Sequence, residues 1–328
     1  MSCCSTSSTN LIPLDEALTL LIDSAVAITE ENTVKLDDAL GRVLSKAVAS
    51  TINVPAWDNS AMDGYAVRYD DIKKLDRLPV VQRIAAGSNG QPLEPGTAAR
   101  IFTGAPLPVG ADTVIMQEMI TREGEMIHVN AVVHEGSNIR RAGEDIRKGS
   151  QIIDSGTRLQ AQHIGLAASI GIDKLTVKRR IKVAIFTTGD ELTMPGQTLA
   201  EGKIYNSNRY LFKGLLEKLG CEVIDLGNVN DEYQATCDAI STAASKADLI
   251  LSSGGVSVGE EDYVKKALEE LGRLDLWKIA VRPGKPLAYG NVSGVPFIGV
   301  PGNPVSLFVT FSIFIRPFLL RSMGVSDV

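Results

Sequence analysis

The chain has 328 residues, a net charge of −6 and 44% hydrophobic residues. That length exceeds what one core usually organises, so two or more domains are expected. The acidic balance excludes a general nucleic-acid binder, whose footprint is a basic surface.

Cysteine usage points away from metal and disulfide frameworks. Cys3 and Cys4 lie in a Ser/Thr-rich leader, Cys221 and Cys237 read as small buried residues, and no pair has ligand spacing. Scattered thiols fit a reducing compartment, so a cytoplasmic protein is expected. The N-terminus carries no basic segment followed by an apolar one, so no secretory signal is read there. The most apolar stretch, Val305 to Ile315, is about half a membrane span, and Arg316-Pro317 is expected to close it. A buried helix, and no membrane association, is the expectation.

In chain order, residues 13 to 28 read as a helix, with Leu14, Ala17, Leu18, Leu21 and Ala25 on one face. A second short helix is expected after Asp37, in DDALGRVLSKAV. NVPAWDNSAMDGYAVRYDD reads as a loop, with turn chemistry at Asp58-Asn59 and Asp63-Gly64. Residues 79 to 135 show short alternating runs (VVQRIA, ARIFTG, TVIMQE, MIHVN) between Gly- and Pro-containing turns, the rhythm of a β-rich domain. A helical stretch, LQAQHIGLAASIG, follows. From Lys182 strands and helices alternate: VAIFTTG, then NRYLFKGLLEKLG stopped by Gly220, CEVIDLGNV, YQATCDAISTAASK, DLILSSGG and VKKALEELG. Three strands come next, LWKIAV, PLAYGNV and VPFIGV, the last two joined by a hairpin at Ser293-Gly294. The final helix starts at Asn303-Pro304, an N-cap followed by proline at the first helical position. Such alternation predicts a mostly parallel sheet with helices on both faces.

Ligands of open α/β sheets bind beyond the carboxyl ends of the strands. The polar clusters lie there: TTGDEL, GNVNDE, SSGGVSVGEEDY, VRPGKP and VPGNP. In SSGGVSVGEEDY the glycines permit close backbone approach and the helix start favours phosphate, although a plain strand-to-helix turn capped by Asp262 accounts for the same spacing. The acidic set is Asp58, Asp63, Asp145, Asp190, Glu191, Asp231 and Asp262. Each alone serves a turn or cap. Together, in a chain with three histidines and no thiolate pair, they suit Mg²⁺, a hard cation that takes oxygen ligands. The basic set, Arg140, Arg141, Lys278, Arg282 and Lys285, suits an oxyanion or phosphate, or is solvated surface charge. His128, His134 and His163 are isolated and read as structural.

These motifs carry a resemblance. VPAWDNSAMDGYAV, RIFTGAPLPVGADTVIMQE, NIRRAGEDI, TTGDEL, YNSNRYLF, GNVNDE, SSGGVSVGEEDY, VRPGKP and VPGNPVS stand in the order found in the MoeA family of molybdopterin molybdenumtransferases, which includes the gephyrin E domain. The match runs from about residue 12 to 325. The resemblance implies an α/β multidomain fold: a helical linking domain (1–50 and 146–180), an inserted β-rich domain (51–145), and a mostly parallel α/β molybdopterin-binding domain (181–328). The family's C-terminal β-barrel has no counterpart before Val328. It further implies insertion of molybdate into adenylyl-molybdopterin with release of AMP, in a cleft formed by the α/β domain of one subunit and the β domain of its homodimer partner. The molybdopterin adenylyltransferase and cofactor-receiving enzymes are the implied further partners.

Residue by residue, family positions needed for activity match Asp58, Asp145, Glu191, Asp231, Asp262, Lys278, Arg282, Lys285, Pro301 and Pro304. Arg282 stands where some relatives have lysine, which keeps the charge and changes the donor geometry. Within the same motifs, Ser60, Thr103, Gly104, Thr188, Gly189, Asp190, Ser253, Gly254, Gly255, Ser257 and Gly259 are assigned to substrate binding, and Glu191, Asp231 and Asp262 to Mg²⁺. Two rival readings share parts of this pattern: a peptide-gripping scaffold, and an enzyme with only the α/β module, such as the adenylyltransferase or a CinA-like nucleotide hydrolase. Charges kept at five strand ends disfavour the first, and the DNSAMDGYA loop with the β insertion disfavours the second.

Overall fold

The computed structural model describes residues 11–255, 263–279 and 286–328. The chain divides into two compact units, one drawn from Met1–Lys46, Ser155–Ala161 and Lys174–Val328, the other from Ala47–Asp154 and Gln162–Asp173.

The first unit is built on a six-stranded sheet in the order Glu222–Val229, Lys182–Thr188, Leu249–Ser253, Val295–Val300, Pro286–Val292, Gly272–Lys278. The first four strands run parallel, and the last two are added antiparallel at one edge. Alternation within the strand Lys182–Thr188 sends Val183 and Ile185 to one face and Ala184 and Phe186 to the other. Helix Asn208–Leu219 covers the first face with Phe212, Leu216 and Leu219. Helices Tyr233–Lys246 and Tyr263–Leu271 cover the second with Ile240, Ala243, Val264 and Leu268. Burying each large apolar side chain stabilises the fold by about 1.5–3 kcal/mol, so two filled faces dominate the energetics. This is the mostly parallel α/β architecture that the alternating pattern predicts.

Local signals behave as their chemistry requires. Helix Asn208–Leu219 stops at Gly220, which is left-handed with φ 89°. Ser293 and Gly294 both take positive φ and join the paired residues Val292 and Val295 in a two-residue hairpin. Asn303 caps the last helix, its Oδ1 accepting from the backbone N–H of Val305 at 2.9 Å and of Ser306 at 3.2 Å, with Pro304 at the start.

The first helix, Leu14–Asp23, is shorter than the expected 13–28, and two further expectations fail in this unit. No helix follows Asp37. A three-residue 3-10 turn, Leu36–Asp38, gives way to Gly41 with φ 75°, and Arg42, Val43 and Leu44 pair with the backbone of Leu159, Lys178 and Thr157 instead. Tertiary backbone partners outweigh a weak helical propensity already broken by glycine. Nor does Arg316-Pro317 close the last helix. The chain runs Pro304–Thr310 as α-helix, Phe311–Ile315 as a π-helical turn, and Arg316–Ser322 as α-helix. The wide turn, with Arg316 N–H bonded to Phe311 C=O, absorbs the donor that Pro317 lacks. The 19-residue run Pro304–Ser322 is long and apolar enough to cross a membrane by length and composition. Leu307, Phe311, Phe314, Ile315, Phe318 and Leu319 instead pack it into the core of the sheet.

The second unit carries a mixed six-stranded sheet in the order Thr113–Met116, Gly64–Val67, Ala98–Ile101, Leu78–Ile84, Met126–Val129, Ile120–Glu123. Most of the short runs predicted between residues 79 and 135 are these strands. The expected loop from Asn53 to Asp71 is largely structured: it holds strands Asn59–Ser60 and Gly64–Val67 and opens the helix Tyr69–Lys74. Gly64–Val67 is buried on both faces, so it lacks the alternation that marks a half-exposed strand.

Candidate functional site

In the first unit a cavity of about 190 Å³ opens at the carboxyl ends of Lys182–Thr188 and Leu249–Ser253. Chain order reverses between these neighbours, because the next strand of this sheet, Glu222–Val229, lies on the other side of Lys182–Thr188. Such a switch point leaves a crevice that no crossover helix fills. Thr187, Thr188, Glu191, Ser253, Gly254 and Pro304 contribute to its walls.

A buried network of neutral groups fixes these walls. Asn206 Nδ2 donates to Thr187 Oγ1 at 2.7 Å, and Thr187 Oγ1 donates to Asn228 Oδ1 at 3.1 Å. Asn208 Nδ2 donates to Ser253 Oγ and to the Gly302 carbonyl, both at 2.7 Å. One amide therefore ties the helix start, the strand end and the 302–304 turn together. Thr188 Oγ1 donates to Asp231 Oδ1 at 3.3 Å, bringing the GNVNDE loop to the same strand end. Gly254 has φ 93°, and a Cβ there would lie 2.4 Å from the Thr188 carbonyl oxygen. Only glycine permits that approach. The Glu191 carboxylate folds over Gly189, where a Cβ would lie 2.5 Å from Glu191 Oε2. Lys203 Nζ reaches the Asp190 carbonyl at 2.5 Å.

In the second unit a charged cluster forms where Asn59–Ser60 pairs with Ile139–Arg140. Asp58 accepts from Arg141 Nη1 and from the Ala142 backbone N–H, both at 2.7 Å. Those two donors, the backbone N–H first, hold its carboxyl below the usual carboxylate range. Arg140 Nη2 pairs with Asp145 at 2.5 Å, and that carboxylate raises the guanidinium's pKa. Asp63 accepts from Thr103 N–H and Oγ1, both at 2.8 Å, which lowers its pKa. Gly104 N–H donates to the Ser60 carbonyl at 2.8 Å.

The predicted residues thus fall into two sets. Thr188, Gly189, Asp190, Glu191, Asp231, Ser253, Gly254, Gly255, Pro301 and Pro304 belong to the first unit, and Asp58, Ser60, Thr103, Gly104 and Asp145 to the second. Ser257, Gly259, Asp262, Arg282 and Lys285 lie outside the described residues, and of Lys278 only its place in the strand Gly272–Lys278 is described. Among the described residues no three His, Cys, Asp or Glu side chains come together as a metal cluster. Thr187, Asn206 and Asn208 are absent from the predicted set. Two asparagines flanking a helix start, in YNSNRYLF, were the available signal, since buried amides persist only where they are hydrogen-bonded.

Two family descriptions match the chain in succession: the MoeA N-terminal region (domain I and II) over residues 12–171, and a probable molybdopterin binding domain over 184–321. The chain belongs to the molybdopterin molybdenumtransferase family and is an enzyme of molybdenum cofactor biosynthesis. A molybdopterin molybdenumtransferase from Haemophilus influenzae is 42% identical over 316 residues, which span 96% of this chain and 78% of that protein. Molybdopterin molybdenumtransferase 2 from Mycobacterium tuberculosis is 37% identical over 84% of this chain and 71% of its own length. The crystal structure of a molybdopterin biosynthesis MoeA protein from Pyrococcus horikoshii superposes with a TM-score of 0.81 at 34% identity, covering 96% of this chain and 80% of that one.

Proposed function

We propose that this chain inserts molybdate into adenylyl-molybdopterin, giving molybdenum cofactor and AMP. The observation that carries the reading is the switch-point cavity, walled by hydroxyl, amide and glycine backbone groups and flanked by Glu191 and Asp231. Such walls suit the polar body of a pterin nucleotide, and the basic residues of VRPGKP suit the molybdate oxyanion. Asn206 bonds to Thr187 and Asn208 to Ser253, so these side chains present a fixed surface to the substrate. A fixed surface lowers the reorganisation that accompanies reaction.

Magnesium fits the donors here by type. Glu191 and Asp231 offer only carboxylate oxygen and flank the Thr188 strand end. They would hold Mg²⁺ together with Asp262, which lies outside the described residues. Bound there, the ion would supply positive charge to the phosphoanhydride. The protein acts as a cytoplasmic homodimer, receiving its substrate from the molybdopterin adenylyltransferase and passing its product to cofactor-dependent enzymes.

Purified chain given adenylyl-molybdopterin, molybdate and Mg²⁺ should release AMP and yield cofactor that activates an apo-molybdoenzyme. AMP release should cease in excess chelator and return with Mg²⁺ but not Zn²⁺. No cofactor formed from intact substrate would overturn the assignment, and full activity in chelator would remove the metal alone. Light scattering at twice the chain mass would support the dimer, and a monomer mass would exclude it.

A further inference from the structure

Three arginines meet at the carboxyl end of helix Asn208–Leu219, about 16 Å along the helix from Asn208 and its cavity. Arg158 donates from Nε to the Gly41 carbonyl at 3.3 Å and from Nη2 to the Leu219 carbonyl at 3.2 Å. Arg180 Nη1 donates to the Gly220 carbonyl at 2.8 Å. Arg42, only 8% exposed, donates from Nη2 to the Lys178 carbonyl at 2.8 Å. Every one of these acceptors is a neutral backbone carbonyl. Among the described residues no carboxylate forms an ion pair with any of the three. Neighbouring acids pair elsewhere: Asp248 and Glu30 with Arg179 at 2.7 and 2.8 Å, and Glu217 with Lys213 at 3.8 Å.

The charge does not balance. A helix carboxyl end carries about −0.5 of an elementary charge, which does not offset the buried Arg42 and half-buried Arg158, whereas the exposed Arg180 is solvated. Burial, and then Arg180, lower the pKa of Arg42. The nearby thiol is no counter-charge, because burial pushes Cys221 up to about 12 and keeps it neutral. A buried cation in this position calls for an anion. Space for one exists: a cavity of about 10 Å³ lies between Gly41, Arg42, Lys178, Arg180, Leu219 and Gly220. That volume admits one particle of about the size of a water molecule.

We infer that Arg42 and Arg180, in the field of Arg158, bind one small monovalent anion of chloride size. The anion sits where residues 41–43, 178–181 and 219–220 converge, so its occupancy stabilises the first unit and leaves the switch-point cavity untouched. Phosphate and molybdate are too large for the space.

Thermal unfolding of the whole chain at fixed ionic strength, in sodium chloride against sodium gluconate, tests this. Chloride should raise the midpoint saturably, by about 2 °C or more. Arg180→Gln alters an exposed side chain, and it should remove the chloride increment while leaving the gluconate midpoint within about 1 °C. Crystals soaked in sodium bromide should show an anomalous peak between Arg42 and Arg180. Equal midpoints in the two salts, an increment unchanged in Arg180→Gln, or no bromide peak would each show that the arginines only cap the helix. None of these readouts involves transferase activity, so they stand apart from the proposed reaction.

Discussion

The two units hold their candidate site residues by opposite means. In the first, Thr187, Asn206, Asn208 and Ser253 are at most 7% exposed and tied by neutral hydrogen bonds. In the second, Asp58, Arg141, Arg140 and Asp145 are at least 37% exposed as side chains and tied by charge. A buried neutral network is costly to break, because a stranded donor loses both its partner and water. An exposed ion pair exchanges partners with water and salt cheaply. The first unit therefore keeps its cavity by stability, and the second keeps its cluster by electrostatics, which pH and ionic strength can tune.

The largest expected effect lies in the buried network. Thr187→Val keeps the shape and removes the hydroxyl that accepts from Asn206, whose amide is buried. The variant should lose about 1–3 kcal/mol of stability in urea unfolding. A loss under about 0.5 kcal/mol would mean that the network relaxes as readily as a surface pair.

Asp231→Asn separates chemistry from stability. The asparagine retains an oxygen for the Thr188 hydroxyl but loses the charge. Turnover should fall at least about tenfold, or about 1.4 kcal/mol in the barrier, while the unfolding midpoint barely moves. Full turnover per folded molecule would remove Asp231 from the site.

This contrast tracks what was legible in the sequence. The first unit's frame could be read because its signals are local: glycine at a left-handed stop, an Asn-Pro cap, alternating buried strands and helices. The helix expected after Asp37 failed because its backbone found partners more than a hundred residues away, at Leu159 and Lys178. The break expected at Pro317 failed because a π-helical turn absorbs the missing donor. Asn206 and Asn208 are not legible in the sequence, because an asparagine's worth depends on burial, which spacing does not reveal. The charged residues were easier to name, yet which one pairs with which, as Asp58 does with Arg141 across 83 positions, depended on the fold.

A smaller effect belongs to that pair. The Arg141 and Asp58 side chains are 57% and 37% exposed, so Arg141→Gln should cost under about 1 kcal/mol, and less still in high salt. A loss above about 2 kcal/mol would place the cluster in the same class as the buried network.

The smallest effect is the titration of Asp58, and it resolves which donor governs the cluster. Its folded pKa lies below the ordinary aspartate value, held there by the Ala142 N–H first and by Arg141 second. A depressed carboxylate pKa stabilises the fold above the unfolded value. That contribution is lost as pH falls through the folded value, so the window lies wholly in the acid range below about 4. Nothing should change between pH 5 and 8 from this group. Side-chain carboxyl NMR of the whole chain should therefore give an Asp58 midpoint below 3.8. In Arg141→Gln the midpoint should rise but stay below that value, because the backbone N–H still points at Asp58 Oδ1. A midpoint that returns to the ordinary range on loss of the arginine would show that charge alone holds Asp58. The hydrogen bond to Ala142 would then be a consequence of the ion pair rather than the frame that positions it.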